Sequence, residues 1–395
     1  MSKTSFSSKI ASFFNSGTAS GVILLFFVVI SMALANSPLS ASLEQFLNKE
    51  WGWESDTIFL RYSFVTWVND GLMTIFFLLV GLEIKREMVK GELSSPKKAA
   101  LPILAAIGGV LFPAGIYAII NHGTETAIGW GIPMATDIAF AIAIVTMLGK
   151  KVPLSLKVFL SALAIVDDLM AIIVIAVFYS TQLEFTYLLT AFAIFGLLLL
   201  MNKLGVRKLY LYLIPGVLIW YFIHLSGIHA TIAGVLIAIA IPIKKNSKGY
   251  SPLEGLEHSL ALPVGFIIMP IFAFCNTNIH IEAEMIEGLF TPLGFGIVIG
   301  LLIGKPIGIS LLSYIGVKTG LCSMPDRASW KQVIGVGMLA GIGFTMSIFI
   351  AVLSFSGNEL LLPEAKLSIL IASLLSGILG SILLTTLHKS KMKAV

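Results

Sequence analysis

Apolar runs long enough to cross a bilayer recur about twelve times along this chain, and no other feature limits its fold so severely. They lie near 12–35, 58–82, 99–120, 127–149, 154–179, 186–202, 209–224, 227–243, 254–275, 292–316, 332–355 and 367–387. A helix needs about 20 apolar residues to span the hydrocarbon layer, where its backbone polar groups must all be satisfied internally. The sixth to eighth runs are the shortest, near the lower limit of about 17 residues. Only 12% of the residues are charged, about half the share a soluble domain carries. A soluble protein with 57% hydrophobic residues and mean hydropathy +0.96 would expose large patches and aggregate. The expected fold is an all-α polytopic membrane protein of about 12 transmembrane helices, one transporter domain over residues 1–395.

The net charge of +5 does not argue for nucleic acid, because the basic residues sit in short loops between apolar runs. They alternate. One set of loops holds Lys3 and Lys9, then Lys85, Arg86, Lys90, Lys97 and Lys98, then Lys150, Lys151 and Lys157. The same set continues through Lys203, Arg207, Lys208, Lys244, Lys245 and Lys248. It ends with Lys318, Arg327, Lys331, Lys389, Lys391 and Lys393, for 22 of the 26 Lys and Arg residues. The opposite loops hold only Lys49, Arg61 and Lys366, and Lys305 lies inside a run. Positive loops stay in the cytoplasm, so both termini are expected there.

That orientation assumes a retained first span. Lys3 and Lys9 before an apolar stretch ending in Ala33-Leu34-Ala35 also resemble a cleaved signal peptide. The long polar leader and the early start of apolar residues at Ile10 favour retention. The longest external connection, 36–57, carries Trp51 and Trp53, which suit the headgroup boundary. It reads equally as a plain surface loop or as a contact for a partner subunit. Cys275 and Cys322 match no metal or redox spacing and read as packing residues.

Against this apolar background four ionisable residues stand well inside runs: Asp137, Asp167, Asp168 and Lys305. Each charge at a helix centre costs about 2.5–3.5 kcal/mol on insertion scales. Four unpaired charges would together cost roughly 10–14 kcal/mol, as much as the whole stability of a domain. They must face one another or a water-filled cavity. A structural ion-pair lock accounts for one aspartate with Lys305 and leaves two carboxylates over, so these residues are read as functional.

Two of the runs carry helix breakers. The first reads GWGIPMATDIAFA, where Pro133 removes a backbone donor and disfavours helix at Ile132, so an interruption is expected just before Thr136-Asp137. The second reads IGVGMLAGIGFTMSIF, with Gly335, Gly337, Gly341 and Gly343 crowded together. Such glycines serve either close helix packing or a break. Interrupted segments in corresponding halves of a transporter point to broken helices at a central binding site, with inverted repeats as the matching conjecture.

The motifs GLEIKRE (81–87), PMATDIAFA (133–141), LAIVDDL (163–169), SGIHATIAGV (226–235), LLIGKPIGIS (301–310) and GIGFTMSIFIA (341–351) resemble the NhaA family of bacterial Na+/H+ antiporters. The likeness runs in order over essentially the whole chain. It implies a fold with inverted repeats and two interrupted helices crossing near the midplane. It implies a secondary antiporter of the bacterial inner membrane that exchanges cytoplasmic Na+ or Li+ for external protons, with sodium and pH homeostasis as its role. By that likeness Asp167 and Asp168 are the ion-binding pair, Thr136 and Asp137 belong to one unwound stretch crossing another at 341–345, and Lys305 stands beside the crossing. Glu83, Glu87, Glu257 and His258 match residues linked to pH response near the cytoplasmic mouth, and His229 matches a further pH-linked histidine. A homodimer through the 36–57 loop is implied in the same way. The family commonly has a second histidine three positions after His258, where this chain has Ala261.

The chemistry follows from the residue types. Na+ and Li+ prefer hard oxygen ligands, and a carboxylate that binds either can also bind a proton. Proton and cation then compete for one site, which suffices for exchange when access alternates. Neighbouring helix positions diverge by about 100°, so Asp167 and Asp168 cannot point the same way. Asp168 is expected to face the cation and Asp167 to pair at least intermittently with Lys305. Lys305 either holds Asp167 charged, carries a proton itself, or offsets half-helix C-terminal ends, while Asp137 offsets N-terminal ends. Glu83 and Glu87 read equally as a solvated helix end, and His122, His224 and His280 as ordinary residues.

No enzyme is expected, and no cofactor. Intramembrane aspartyl proteases set one carboxylate on each of two facing helices, whereas this pair is adjacent on one. A passive channel needs a ring of ligands or a continuous pore. A solute symporter on the same scaffold would need a larger polar cavity.

Overall fold

The computed structural model describes residues 17–55, 59–180, 183–245, 249, 251–281, 283–358 and 360–393. The leader with Lys3 and Lys9, and with it most of the signal-peptide alternative, lies outside them. Nine helices among the described residues are long and apolar enough to cross a membrane. They are Thr18–Ala35, Phe64–Lys90, Pro96–Ile120, Glu125–Lys151, Leu154–Phe178, Phe185–Lys203, Pro252–Asn276, Pro292–Lys318 and Leu361–His388. A bent pair, Trp330–Ala340 and Phe344–Ser354, meets at 47° and makes another. Two shorter apolar helices, Tyr210–Leu225 and Ile232–Ala240, fall where the short runs were read. These elements account one for one for the twelve apolar runs.

The connection at 36–57 is more ordered than a plain loop. After a helix at Ser40–Leu47, strands Glu50–Glu54 and Phe59–Ser63 pair antiparallel, with Trp51 opposite Tyr62 and Trp53 opposite Leu60. Trp51 and Trp53 alternate along the first segment and Phe59 and Tyr62 add aromatic character to the second, a signal too short to stand out beside the apolar runs. Both tryptophans are exposed, Trp53 by 66%. The Arg61–Glu50 ion pair across the strands, at 3.0 Å and open to water, adds little.

The chain divides into two compact units. One comprises Met1–Phe26, Glu92–Ala171 and Ile281–Val395, the other Phe27–Gly91 and Ile172–His280. In the second, Leu82, Tyr212, Ile219 and Ala238 belong to a fully buried apolar cluster. Asn276 donates from Nδ2 to Asn69 Oδ1 at 2.8 Å within the same unit.

In the first unit the Pro96–Ile120 helix crosses the second half of Pro292–Lys318 at Gly108 and Gly308. A Cβ on Gly308 would stand 2.0 Å from the Gly108 carbonyl oxygen, and one on Gly108 2.1 Å from that of Gly308. Backbones this close admit no side chain, the small-residue contact by which membrane helices approach. Overpacking of this kind costs about 1–3 kcal/mol and occasionally more. Gly308→Val is therefore expected to lower the melting temperature in detergent clearly. An unchanged melting curve would mean that the two helices part without cost.

Candidate ion site

The two interrupted helices break at their centres. In Glu125–Lys151, a tight helical turn over Glu125–Met134 gives way to extended backbone at Ala135 and resumes as Ile138–Leu148. The interruption falls where Pro133 placed it. In the bent pair the break is Gly341 to Gly343. The crowded glycines of that run serve both purposes read from sequence. Gly337 packs against Pro306, whereas at Gly341 a Cβ would meet the Leu301 carbonyl oxygen at 2.5 Å.

The breaks are joined by their own hydrogen bonds. Asp137 N–H donates to Ile342 O at 2.7 Å, and Thr136 Oγ1 donates to Ala340 O at 2.9 Å. Ser347 Oγ donates to Ile132 O at 2.7 Å. Carbonyls orphaned at the ends of the leading half-helices are thus satisfied from the other break, as buried backbone groups must be.

Asp137 serves the opposite ends. Its Oδ1 accepts from Phe140 N–H at 3.0 Å, capping Ile138–Leu148. Its Oδ2 accepts from Thr345 N–H at 3.1 Å and Thr345 Oγ1 at 2.5 Å, at the start of Phe344–Ser354. One carboxylate therefore sits against two helix N-termini, where the dipoles favour negative charge. Both of its oxygens are engaged.

Asp167 and Asp168 lie mid-way along Leu154–Phe178, exposed by only 1% and 2%. Lys305 Nζ, fully buried, meets Asp167 Oδ2 at 2.8 Å and also donates to the Met134 carbonyl at the end of a leading half-helix. Asp168 is within electrostatic reach of the same ammonium. Thr136 neighbours the Asp167 carboxylate, whose Oδ1 has no hydrogen-bonded partner among the described residues. Lys305 follows a widened π-type turn, Gly300–Gly304, and precedes Pro306; such bulges recur at functional sites. Thr136, Asp137, Asp167, Asp168 and Lys305 are therefore one constellation within the first unit. Among the described residues no three His, Cys, Asp or Glu side chains converge as a metal-holding group.

Glu83, Glu87, Glu257, His258 and His229 all belong to the second unit, and there they separate. Arg86 bridges Glu87 and Glu257 at 3.0 Å each, and Glu83 stands within electrostatic reach of all three. His258 is exposed and near Glu257. His229 is elsewhere. Ile232–Ala240 packs parallel to Phe64–Lys90, with Gly234 against Thr74 to Leu78 and Ala238 against Gly81. That register, with His229 within electrostatic reach of His224 beside Asp70, sets it in the first half of Phe64–Lys90, some 20 Å along the helix from Glu83.

Sequence reasoning passed over several residues. His224, taken as ordinary, places Nδ1 3.7 Å from Asp70 Oδ2 and Nε2 2.9 Å from Tyr62 Oη. Lys85, counted only as a cytoplasmic charge, donates to the carbonyls of Ile239 and Ile241 and caps Ile232–Ala240. Ser373 accepts from Phe344 N–H at 3.1 Å at the second break. Nothing in the apolar run around Ser373 marked it. Cys275 and Cys322 are both buried, and neither forms a disulfide among the described residues.

Comparison with known proteins adds an independent finding. The family profile described as Na+/H+ antiporter 1 matches residues 11–384. The chain is 56% identical over 382 residues to the Na+/H+ antiporter NhaA 2 of Flavobacterium johnsoniae, covering 96% of this chain and 93% of that protein. It is 49% identical over 380 residues to the NhaA antiporter of Dechloromonas aromatica, covering 96% of each. The solved structure of the sodium proton antiporter MjNhaP1 from Methanocaldococcus jannaschii superposes with a TM-score of 0.52 at 13% identity, covering 93% of this chain and 90% of that one. At that identity the likeness is one of fold.

Proposed function

The chain belongs to the Na+/H+ antiporter 1 family, and from that membership we propose how its buried charges carry the exchange. It is a multi-pass membrane protein that exchanges Na+ for H+. The observation that carries the proposal is a balance of charge. Two buried carboxylates face one ammonium, with Lys305 on Asp167 at 2.8 Å, which leaves one negative charge. One negative charge matches one monovalent cation. Asp168 supplies the main oxygen ligand for Na+ or Li+, and Asp167 joins when the cation draws it from Lys305. With the cation gone, protons occupy the same oxygens, and no cofactor is needed. Asp137 and Thr136 hold the crossing, with both carboxylate oxygens of Asp137 committed to helix ends.

The protein is placed in the bacterial inner membrane with both termini cytoplasmic, following the loop charges. It moves Na+ outward against inward protons. A homodimer forms through the 36–57 connection, where strand Glu50–Glu54 is exposed and carries Trp51 and Trp53.

Exchange of two protons per Na+ moves one net charge per cycle, so the membrane potential contributes about 2.3 kcal/mol per 100 mV. In proteoliposomes clamped with K+ and valinomycin, the Na+ gradient at balance is expected to shift about 50-fold per 100 mV. A gradient indifferent to voltage would sink the electrogenic part.

The pH response is assigned to the Arg86, Glu83, Glu87 and Glu257 cluster, where four charged groups share one neighbourhood. Glu257→Gln is expected to displace the pH profile of exchange by about one unit, a change of about 1.4 kcal/mol, while leaving the maximal rate in place. His258→Gln, at an exposed site, should displace it less. A superimposable profile for Glu257→Gln would remove the cluster from this role.

A further inference from the structure

The last spanning helix, Leu361–His388, runs 28 residues without interruption and packs along the bent pair. Small residues carry the contact. A Cβ on Gly380 would stand 2.8 Å from the Leu339 side chain, and one on Gly335 2.9 Å from that of Leu384. The same antiparallel register continues across the break, with Ser376 beside Gly341 and Ser373 beside Phe344. An unbroken helix therefore splints a broken one, and it sets two serines, about one turn apart, against the gap.

A break inside the membrane leaves backbone groups that hydrocarbon cannot satisfy, and neighbouring Ser or Thr hydroxyls can take them up. A serine in a spanning helix commonly bonds its own backbone one turn back. Ser368, fully buried on this same helix, does so by donating to Glu364 O at 2.9 Å. Ser373 does something else. It is 7% exposed, and its Oγ accepts the Phe344 N–H at 3.1 Å, at the first residue of the resuming half-helix Phe344–Ser354. Ser376 is fully buried, and its Oγ has no hydrogen-bonded partner among the described residues. Of the two serines at the gap, Ser373 is the one that holds backbone.

The neighbours of Phe344 carry this bond towards the ion site. The next residue is Thr345, whose N–H and Oγ1 both donate to Asp137 Oδ2. The Phe344 ring meets the Phe140 ring edge-on, with centroids 5.3 Å apart, and Phe140 N–H is the donor to Asp137 Oδ1. Asp137 adjoins Thr136, which neighbours the Asp167 carboxylate. Asp137 does not also serve the Phe344 N–H, because both of its oxygens are engaged elsewhere. That donor falls to Ser373.

We propose that Ser373 is a positioning residue for the exchange reaction. Its hydroxyl oxygen sets where the second broken helix resumes, and with it the seating of Asp137 and Thr136 beside the cation. The role is indirect, and it rests on the ion site argued above at Asp167 and Asp168.

The test is uptake of radioactive Na+ by the full-length protein in proteoliposomes under a fixed pH gradient. It yields the half-saturating Na+ concentration and the maximal rate per protein. Ser373→Ala leaves a buried N–H unmet and should raise the half-saturating concentration about fivefold or more, with the maximal rate within about twofold of the parent. Ser373→Thr keeps the oxygen and should restore the parent value. Ser368→Ala and Ser376→Ala, on the same helix, should leave it unchanged, since neither hydroxyl is bonded to the bent pair. A purely structural role gives another pattern: a lower melting temperature and maximal rate, with half-saturation unmoved. That pattern overturns the proposal, as does an equal rise in Ser376→Ala, or a Ser373→Thr protein that melts like the parent yet keeps the raised value. Asp168→Ala in the same preparation keeps the two readings apart. Exchange lost there, with Ser373→Ala like the parent, overturns the positioning role and leaves the ion site standing. Parent-like exchange in Asp168→Ala overturns both.

Discussion

Asp168→Ala in everted vesicles is expected to leave no Na+-induced recovery of a ΔpH signal quenched by respiration, at any pH, with Li+ equally ineffective. The reason is electrostatic. With Asp167 Oδ2 already on Lys305 at 2.8 Å, Asp168 is the carboxylate proposed as the main ligand, and at 2% exposure water supplies no substitute. Breaking a buried charge pair by removing one partner costs about 3–5 kcal/mol. For Na+ that is a loss of two to three or more decades of affinity, beyond any concentration the assay can supply. Asp168→Asn keeps the side-chain volume and two polar atoms, so it should melt like the parent and yet transport no better than Asp168→Ala. Recovery with an unchanged half-saturating Na+ concentration in either variant would remove Asp168 from the site.

The second large effect concerns stability as well as transport. In Asp167→Asn the Lys305 ammonium, fully buried, keeps only the Met134 carbonyl as a described acceptor. Breaking a buried pair at one partner costs up to about 3–5 kcal/mol, less what Asp168 within electrostatic reach restores, so this variant should melt below the parent in detergent. Lys305→Gln alone leaves two neighbouring carboxylates without their ammonium and should also lose stability. The double variant Asp167→Asn/Lys305→Gln removes both charges and should recover much of the loss, a coupling that a double-mutant cycle reads directly. Simple additivity of the two losses would show that the pair contributes nothing as a pair. Lys305→Gln alone, which keeps both carboxylates, separates the roles read for Lys305. Exchange that persists but no longer follows voltage assigns Lys305 a transported proton. Exchange that persists and still follows voltage assigns it the counter-charge.

Much of the architecture was legible because membranes restrict what a chain can do. The twelve apolar runs correspond to twelve helical elements, and Pro133 located the first break to within a residue or two. The four crowded glycines between 335 and 343 marked the second run, and the family likeness placed its break at 341–345. Less legible were the features that depend on neighbours in space. The strand pair at 50–54 and 59–63 was missed because two five-residue segments carry a weak periodic signal. Ser373 was missed because a serine in an apolar helix looks the same whether it bonds its own backbone or caps another helix. His224 was set aside because a lone histidine is usually ordinary, and only folding brings Asp70 and Tyr62 to it.

The residues that the family likeness linked to pH response make the same point in reverse. The family likeness grouped His229 with Glu83, Glu87, Glu257 and His258, yet the helix register divides them between the two ends of Phe64–Lys90. A one-dimensional motif records that a residue matters and carries no distance.

What this sequence determined by itself was a set of costs. Twelve apolar runs force a helical membrane protein, and four ionisable residues within them must find partners or water, because hydrocarbon offers neither. Which partners they find was decided only by the tertiary structure. Asp137 ends with both oxygens spent on helix N-termini, and Asp167 ends on Lys305. Pairing of this kind depends on angles and distances of a few ångströms between helices far apart in sequence. Hydropathy and spacing along one chain hold no record of either.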